Sequence, residues 1–165
     1  MLIRKATIHD VEAIQKVANE TWPLTFASIL SADQITYMLN WMYNSEILSK
    51  TIQQKNHAFW LYEIENKVVA FTGIEHNYQS QAITRIHKIY VSPEAQGLKI
   101  GINLIQHIEQ EARKIGSNRL NLNVNRFNAA VHFYEHIGFQ TINEENIDIG
   151  NGFLMEDFVM EKKIT

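Results

Sequence analysis

Two glycines, Gly97 and Gly101, stand four residues apart in the segment YVSPEAQGLKIG, between a β-like apolar run and an amphipathic helical run. A helix N-terminus has unpaired N–H groups and a partial positive charge, and glycine lets an anion approach the backbone closely. The segment therefore predicts an anion site, although the same glycines also suit a plain tight turn. The P-loop pattern and the dinucleotide pattern G-x-G-x-x-G are both missing.

A second chemical pattern is H-x-x-E-H, formed by His132, Glu135 and His136. It matches an inverzincin zinc motif, which needs a further ligand from a second helix. Gly138 follows at once and ends this helix, so we expect no metal. The chain has no cysteine, which excludes disulfides and thiolate nucleophiles. A G-x-S-x-G elbow is also missing, so the sequence favours direct transfer over a covalent intermediate.

The apolar periodicity predicts the elements that position these groups. Their order is a strand, helices, a hairpin with its turn at Glu65-Asn66-Lys67, a strand, a helix, a strand, a helix and a closing strand. The corresponding residues are 2–6, 10–18, 31–54, 58–77, 82–91, 102–116, 119–124, 128–139 and 153–164. This order is typical of an α/β domain with one mixed sheet. The length predicts a single domain over residues 1–165.

Charge and hydropathy limit the function classes. The formal net charge of −3 disfavours a broad nucleic-acid surface. The N-terminal residues turn polar too soon for a signal peptide, and no apolar run reaches the roughly 20 residues that span a bilayer. We therefore expect a cytoplasmic protein that binds neither nucleic acid nor membrane.

Residues 125–139 read N-x-x-N-A-A-x-x-F-Y-x-x-x-G-F. Together with the glycine turn about 30 residues earlier, this pattern resembles the GNAT superfamily of acyl-CoA-dependent N-acyltransferases. The closing segment from Ile147 to Ile164 is similar to the PaiA-like polyamine acetyltransferase branch. The resemblance implies the GNAT fold: a mixed, mostly antiparallel sheet of about seven strands, flanked by about four helices and splayed between its central parallel strands. It also implies acetyl-CoA as co-substrate.

The resemblance also assigns roles to residues. Tyr134, of the F-Y pair, corresponds to the acid that protonates the departing thiolate, and His87 to a base on the strand before the turn. A structural tyrosine and a water molecule acting as base remain the alternatives. Asn125 and Asn128 are expected to supply side-chain amides to the pantetheine arm, and the alternative for each is that it only caps the helix. The implied cofactor-binding residues are Ile89, Tyr90, Val91, Gln96, Gly97, Leu98, Lys99, Ile100, Gly101, Asn125, Asn128, Ala130 and Phe133.

One residue departs from the family pattern. Lys99 stands where the family has its first motif glycine. A lysine is disfavoured if the backbone there needs a positive φ, but it also brings a cation close to a pyrophosphate. The sequence leaves open whether Lys99 weakens or assists phosphate binding.

The predicted function is N-acetyl transfer from acetyl-CoA to a primary amine, either a small amine or a polyamine, in a ternary complex. The alternatives are acetylation of protein N-termini and a non-catalytic acyl-CoA sensing module of the same fold. We expect acceptor contacts from Trp22, Phe26 and Glu75. The sequence does not fix the oligomeric state, and a homodimer is compatible with it.

Overall fold

The computed structural model describes residues 1–164, so the last residue of the expected 1–165 domain lies outside it. Seven strands and five helices follow one another along the chain. Their bounds, in chain order, are β1 (Leu2–Lys5), α1 (Val11–Phe26), α2 (Ala32–Met42), α3 (Ser45–Gln53), β2 (His57–Ile64), β3 (Lys67–His76), β4 (Ile83–Val91), α4 (Ile100–Lys114), β5 (Arg119–Asn125), α5 (Ala130–His136), β6 (Gln140–Gly150) and β7 (Phe153–Lys163).

All seven strands form one sheet in the order β1-β2-β3-β4-β5-β7-β6. Every neighbouring pair is antiparallel except β4 and β5, which run parallel. Their pairing extends only from Ile83 opposite Arg119 to Ile86 opposite Leu122, although both strands continue beyond it. The predicted mixed sheet, splayed between its central parallel strands, is therefore confirmed.

Helices cover both faces of this sheet. On one face, which we call the front, α1 and α2 pack against alternate residues of β2 and β3, such as Phe59 and Phe71. On the opposite back face, α4 and α5 pack against Ile86 of β4 and Leu122 of β5. This two-sided arrangement buries aromatic side chains such as Phe59 and Phe71 beside β4.

A β-bulge on β4 changes the direction of its side chains. Gly73 pairs with Lys88 whereas Ile74 pairs with Ile86, so His87 is the extra residue. Ile86 and Ile89 both pack on the back face. The two residues between them therefore both lie on the front, where a regular strand would place only one.

Two details of the predicted element order need correction. The residues after Gly138 form two strands, β6 and β7, whereas the sequence predicted only the second. Almost every residue of β6 is exposed, so it has no apolar alternation to reveal it. Residues 31–54, for which the sequence predicts helical structure without an internal boundary, form two helices, because Asn44 caps α3 by accepting a hydrogen bond from the Ile47 N–H at 2.9 Å.

The helices of residues 1–164 include none with both the length and the apolar character needed to cross a bilayer.

An ion-pair network fixes the N-terminus to the sheet. Arg4 donates hydrogen bonds to both carboxylate oxygens of Asp10, the shorter at 2.7 Å, and a third to Glu63 at 2.8 Å. Asp10 also accepts from the Thr7 N–H, which completes a capping box on the short 3₁₀ turn Ile8–Asp10 that leads into α1. The bond from Arg4 is the largest cause that lowers the pKa of Asp10 to about 2.

Because the folded state lowers this pKa from 3.8, the Asp10 carboxylate stabilises the fold above about pH 4, and this contribution is lost as the pH falls toward 2. The loss is at most about 2 kcal/mol, since Arg4 is partly exposed and screened. We expect Asp10→Asn to lower the melting temperature at pH 7 and to flatten the pH dependence of unfolding in this window. Asp33→Asn, on an exposed acid of α2, is the control. Parallel pH profiles for wild type and Asp10→Asn would contradict the assignment.

Candidate functional site

The glycine turn precedes α4 and presents its backbone outward. Gly97 has φ +83° and Lys99 has φ +60°, while side chains from 96 to 99 are exposed. The first backbone N–H with a helical acceptor is that of Asn103, which donates to the Lys99 carbonyl at 3.1 Å. Lys99 is the N-cap residue of α4, and its side chain makes no capping hydrogen bond to residues 1–164. The N–H groups of residues 100–102 therefore remain available to an anion.

Gly101 serves helix packing rather than a positive φ. A Cβ at this position would lie 3.3 Å from the Cζ of Phe133, which is closer than most such contacts. Phe133 and Ala130 of α5 pack in the cluster of the back face. Glycine therefore lets α5 approach the first turn of α4.

The predicted backbone edge of β4 faces the gap to β5. The Ser92 N–H donates to Val69 of β3 at 2.8 Å. Because backbone groups alternate along an antiparallel strand, those of Val91 and Ile89 point away from β3 and toward the gap. The Val91 carbonyl accepts a hydrogen bond from the Gln96 side chain at 3.3 Å, which ties the turn to the strand. Tyr90 differs, because its ring lies on the front face, 5.7 Å from the Trp22 ring.

Tyr134 lies in α5 and is only 8% exposed. Its ring contacts Phe133 and Phe139 edge-on, at 5.3 and 5.6 Å between centroids. Burial raises the pKa of the Tyr134 hydroxyl well above its usual value, so the hydroxyl keeps its proton at neutral pH. Tyr134 can therefore donate a proton but cannot act as a resting base.

The carbonyl oxygens of both asparagines make local hydrogen bonds. Asn125 accepts from the Phe127 N–H at 3.0 Å and Asn128 from the Ala130 N–H at 2.9 Å. These bonds hold the loop between β5 and α5 and match the capping alternative. They leave the two side-chain NH₂ groups for any ligand.

His87 belongs to a cluster on the front face. Its Nε2 lies 2.8 Å from Oε2 of Glu75, and His57 Nε2 lies 3.6 Å from the same oxygen. The three side chains line a cavity of about 190 Å³ that also touches Lys88. Burial is the largest cause that lowers the pKa of His87, against the opposing effect of Glu75. The predicted base and the predicted acceptor contact Glu75 are thus brought together.

Lys88 and His57 join this site without having been predicted. Lys88 places its ammonium 5.5 Å from the centroid of the Tyr43 ring, and burial lowers its pKa to about 8. Within residues 1–164 it has no ion pair. The one sequence signal for Lys88 is its position beside His87. In a regular strand the Lys88 side chain would lie on the back face, and the bulge turns it to the front.

Two predicted acceptor contacts are core residues instead. Trp22 is 2% exposed and Phe26 is 4% exposed, and their rings pack 4.5 Å apart in the front-face cluster. Neither lines the cavity at Glu75. Both side chains are buried because the apolar face of α1, which carries them, packs against the sheet.

The H-x-x-E-H pattern lies apart from the cluster. The His132 and Glu135 side chains are 87% and 53% exposed and bond only to each other, at 3.2 Å. Among the residues that the structure describes, the one group of three suitable metal ligands is His57, Glu75 and His87.

A second polar group extends along the front face beside β5. Asp157 of β7 is 7% exposed, and its Oδ1 has no hydrogen-bond partner among the described residues. Its Oδ2 accepts from Asn123, whose amide also donates to Glu145 at 3.1 Å. Burial raises the pKa of Asp157. Glu75, Asp157 and Glu145 are thus among the carboxylates of the front face.

Comparison with known proteins agrees with this geometry. The family model described as "Acetyltransferase (GNAT) domain" matches residues 26–162. The chain is 27% identical to a spermidine N(1)-acetyltransferase of Thermoplasma acidophilum, over 98% of this chain and 96% of that protein. It is 29% identical to an uncharacterized N-acetyltransferase of Escherichia coli, over 86% and 83%.

Solved structures show the same similarity. The PaiA N-acetyltransferase from Thermoplasma acidophilum, in complex with coenzyme A, matches with a TM-score of 0.84 at 28% identity, over 98% of both chains. A GCN5-related N-acetyltransferase from Rhodopseudomonas palustris matches with a TM-score of 0.83 at 17% identity, over 98% of this chain and 94% of that one. The latter identity shows a shared fold alone.

The positive φ of Lys99 yields a prediction about stability. A side chain in the left-handed region costs about 1 kcal/mol, and Lys99 makes no side-chain hydrogen bond within residues 1–164 that offsets this. Lys99→Gly should therefore raise the melting temperature slightly, by the equivalent of roughly 0.5–1 kcal/mol. Gly97→Ala, at a φ that glycine accepts more readily, should lower it. A lower melting temperature for Lys99→Gly would show that the lysine side chain stabilises the turn.

Proposed function

The chain belongs to the GNAT acetyltransferase family and is an N-acetyltransferase, and from this premise we propose that it transfers the acetyl group of acetyl-CoA directly to the primary amine of a small molecule or polyamine. Residues 1–165 act as one domain, and both substrates are bound when transfer occurs. The observation that carries the proposal is the gap between β4 and β5 beside the open N-terminus of α4.

The gap and the turn suit the two ends of an acyl-CoA. The pyrophosphate binds at the N–H groups of residues 100–102, where Lys99 adds a cation. The pantetheine arm extends along the β4 edge and pairs with Ile89 and Val91 as a missing strand would. The NH₂ groups of Asn125 and Asn128 complete the other side of the gap. Coenzyme A bound to the PaiA structure from Thermoplasma acidophilum supports this assignment.

His87 acts as the base on the front face. Glu75 is acceptor-only when ionised, so the 2.8 Å hydrogen bond places a proton on His87 Nε2 and leaves the lone pair on Nδ1. That lone pair takes a proton from the acceptor ammonium, and Glu75 then stabilises the imidazolium. Glu75 is a positioning residue for His87 as well as an acceptor contact.

Acetyl-CoA supplies a thioester, whose thiol leaves when the amine attacks the carbonyl carbon. The Tyr134 hydroxyl, protonated at neutral pH, gives its proton to the departing sulfur. The Ile89 N–H lies on the same edge and donates to the oxyanion. The chain has no cysteine, which favours direct transfer in a ternary complex.

The acidic positions on the front face favour a cationic acceptor. Glu75 binds the reacting end, and the Oδ1 of Asp157, which has no partner among residues 1–164, binds a second ammonium further along. A polyamine carries several amines and can therefore engage more than one carboxylate. The spermidine N(1)-acetyltransferase relative supports this acceptor class.

The function is tested by incubating the protein with acetyl-CoA and a panel of amines while free thiol is measured. The panel contains spermidine, spermine, simple diamines, amino acids and peptides with a free N-terminus. We expect the highest kcat/KM for a polyamine. Highest turnover of peptides would favour acetylation of protein N-termini. Coenzyme A binding without thiol release for any amine would favour a sensing module.

Tyr134→Phe provides the sharpest test of the acid. It removes one hydroxyl and keeps the ring, so coenzyme A affinity should hold while kcat falls by about 10²–10⁴, the range of general acid catalysis. Tyr62→Phe is the matched control, since Tyr62 is also buried and its hydroxyl accepts a bond from Asn103 away from the gap. The control should lose stability rather than turnover. An unchanged kcat for Tyr134→Phe would leave solvent as the proton donor.

A further inference from the structure

Three side chains that can ligate a metal meet on the front face from three adjacent strands. His57 of β2 pairs with Glu75 of β3, and the bulge of β4 brings His87 beside both. One ligand atom from each residue lies within 4.8 Å of the other two. The imidazole rings are nearly parallel, at 10°, with their centroids 6.0 Å apart on either side of the carboxylate. Because the strands are hydrogen-bonded neighbours, this arrangement is held by the sheet itself.

The hydrogen bonds of His57 orient it as a ligand. Its Nδ1 lies 3.3 Å from the Lys55 carbonyl, which can only accept, so the proton of the neutral ring is on Nδ1. The Nε2 lone pair then faces Oε2 of Glu75 across 3.6 Å. Two electron-pair donors that face each other repel unless a proton or a metal cation lies between them, and a metal cation can bind both. A backbone carbonyl on the far nitrogen is also the usual outer contact of a metal-binding histidine.

We propose that His57, Glu75 and His87 form a binding site for a divalent first-row transition cation, with Zn²⁺ as its best-suited occupant. Two imidazoles and one carboxylate are a known set of zinc ligands that leaves a fourth position open. Tetrahedral zinc separates its ligand atoms by roughly 3.3 Å. The observed distances of 2.8 and 3.6 Å from Glu75 Oε2 therefore require only small side-chain rotations. The fourth position opens into the 190 Å³ cavity.

Neighbouring cations limit the affinity. The Arg85 guanidinium and the Lys88 ammonium both act on His87 and oppose a second positive charge there. Arg85 is held away by hydrogen bonds to Asn121 and Asn123, and Lys88 lies over the Tyr43 ring. We therefore expect reversible binding rather than a permanent structural metal.

Bound metal would stop acetyl transfer through a change of tautomer; this consequence rests on the proposed function. Coordination uses the Nε2 lone pair of His87, so the proton of the neutral ring must lie on Nδ1. The Nδ1 lone pair that takes the acceptor proton is then gone, and Glu75 is occupied by the cation. The site is thus an inhibitory one, which chelation reverses.

The test titrates the full chain, made without a histidine tag, with Zn²⁺ against a chromophoric chelator and with no acetyl-CoA or amine present. We expect one Zn²⁺ per chain. His57→Ala and Glu75→Gln should each weaken binding by at least about 10–100-fold, the loss that even outer contacts produce. His57→Gln is the second variant should His57→Ala melt early. His132→Ala removes the exposed H-x-x-E-H pattern and should bind as wild type.

Activity is then measured separately. Added Zn²⁺ should inhibit wild-type acetyl transfer with the midpoint found by titration, and a chelator should restore it. Three results would each overturn the site. The first is wild-type affinity in folded His57→Ala or His57→Gln, the second is loss of binding in His132→Ala, and the third is no zinc binding by wild type. Zinc binding by a chain that acetylates no amine would refute only the proposed function.

Discussion

Hydrogen bonding between β4 and β5 ends at Ile86 and Leu122, and the candidate site depends on this early ending. Beyond it, one edge of β4 has no strand to satisfy its N–H and C=O groups. Antiparallel neighbours on the outer sides of both strands keep the separated halves rigid. α4 begins close to the same place, so unpaired strand groups and unpaired helix groups border a single gap. A ligand with an extended amide arm and a phosphate end fits both sets.

The bulge at His87 determines which side chains of β4 lie on each face of the sheet. It keeps Ile86 and Ile89 packed on the back, where α4 and α5 border the gap, and turns His87 and Lys88 to the front. Tyr134, the proposed proton donor, belongs to the back face, and His87, the proposed base, to the front. In our account, acid and base therefore act from opposite sides of the strand that carries the acyl group, and they do not exchange protons directly.

Much of this architecture could be predicted from sequence because the signals are local. The glycine turn, the alternation of β5 and the F-Y helix are each contained in fewer than fifteen residues. His57 could not be predicted in the same way. Counting back from the tight turn at Glu65 and Asn66 places it opposite Ile74, and only a bulge near Tyr62 shifts it to Glu75.

The other misplaced residues have similar causes. Trp22 and Phe26 continue the i, i+4 spacing of Ile14 and Ala18 along α1, so they belong to the apolar face that packs on the sheet. β6 is an edge strand with polar residues on both sides, so tertiary pairing with β7 rather than its own pattern defines it. Sequence raised a positive φ at Lys99 only through the family's glycine at that position, and the structure shows that the lysine adopts this backbone.

The central claim is that acyl-CoA occupies the gap between β4 and β5 and the N-terminus of α4. The most direct measurement is a titration of the ¹⁵N-labelled protein with coenzyme A, followed by amide chemical shifts. The account predicts the largest shifts at Ile89, Val91 and residues 97–102, with those of α2 and α3 nearly unchanged. Saturable binding whose shifts lie elsewhere, with the turn and the β4 edge unaffected, would contradict it.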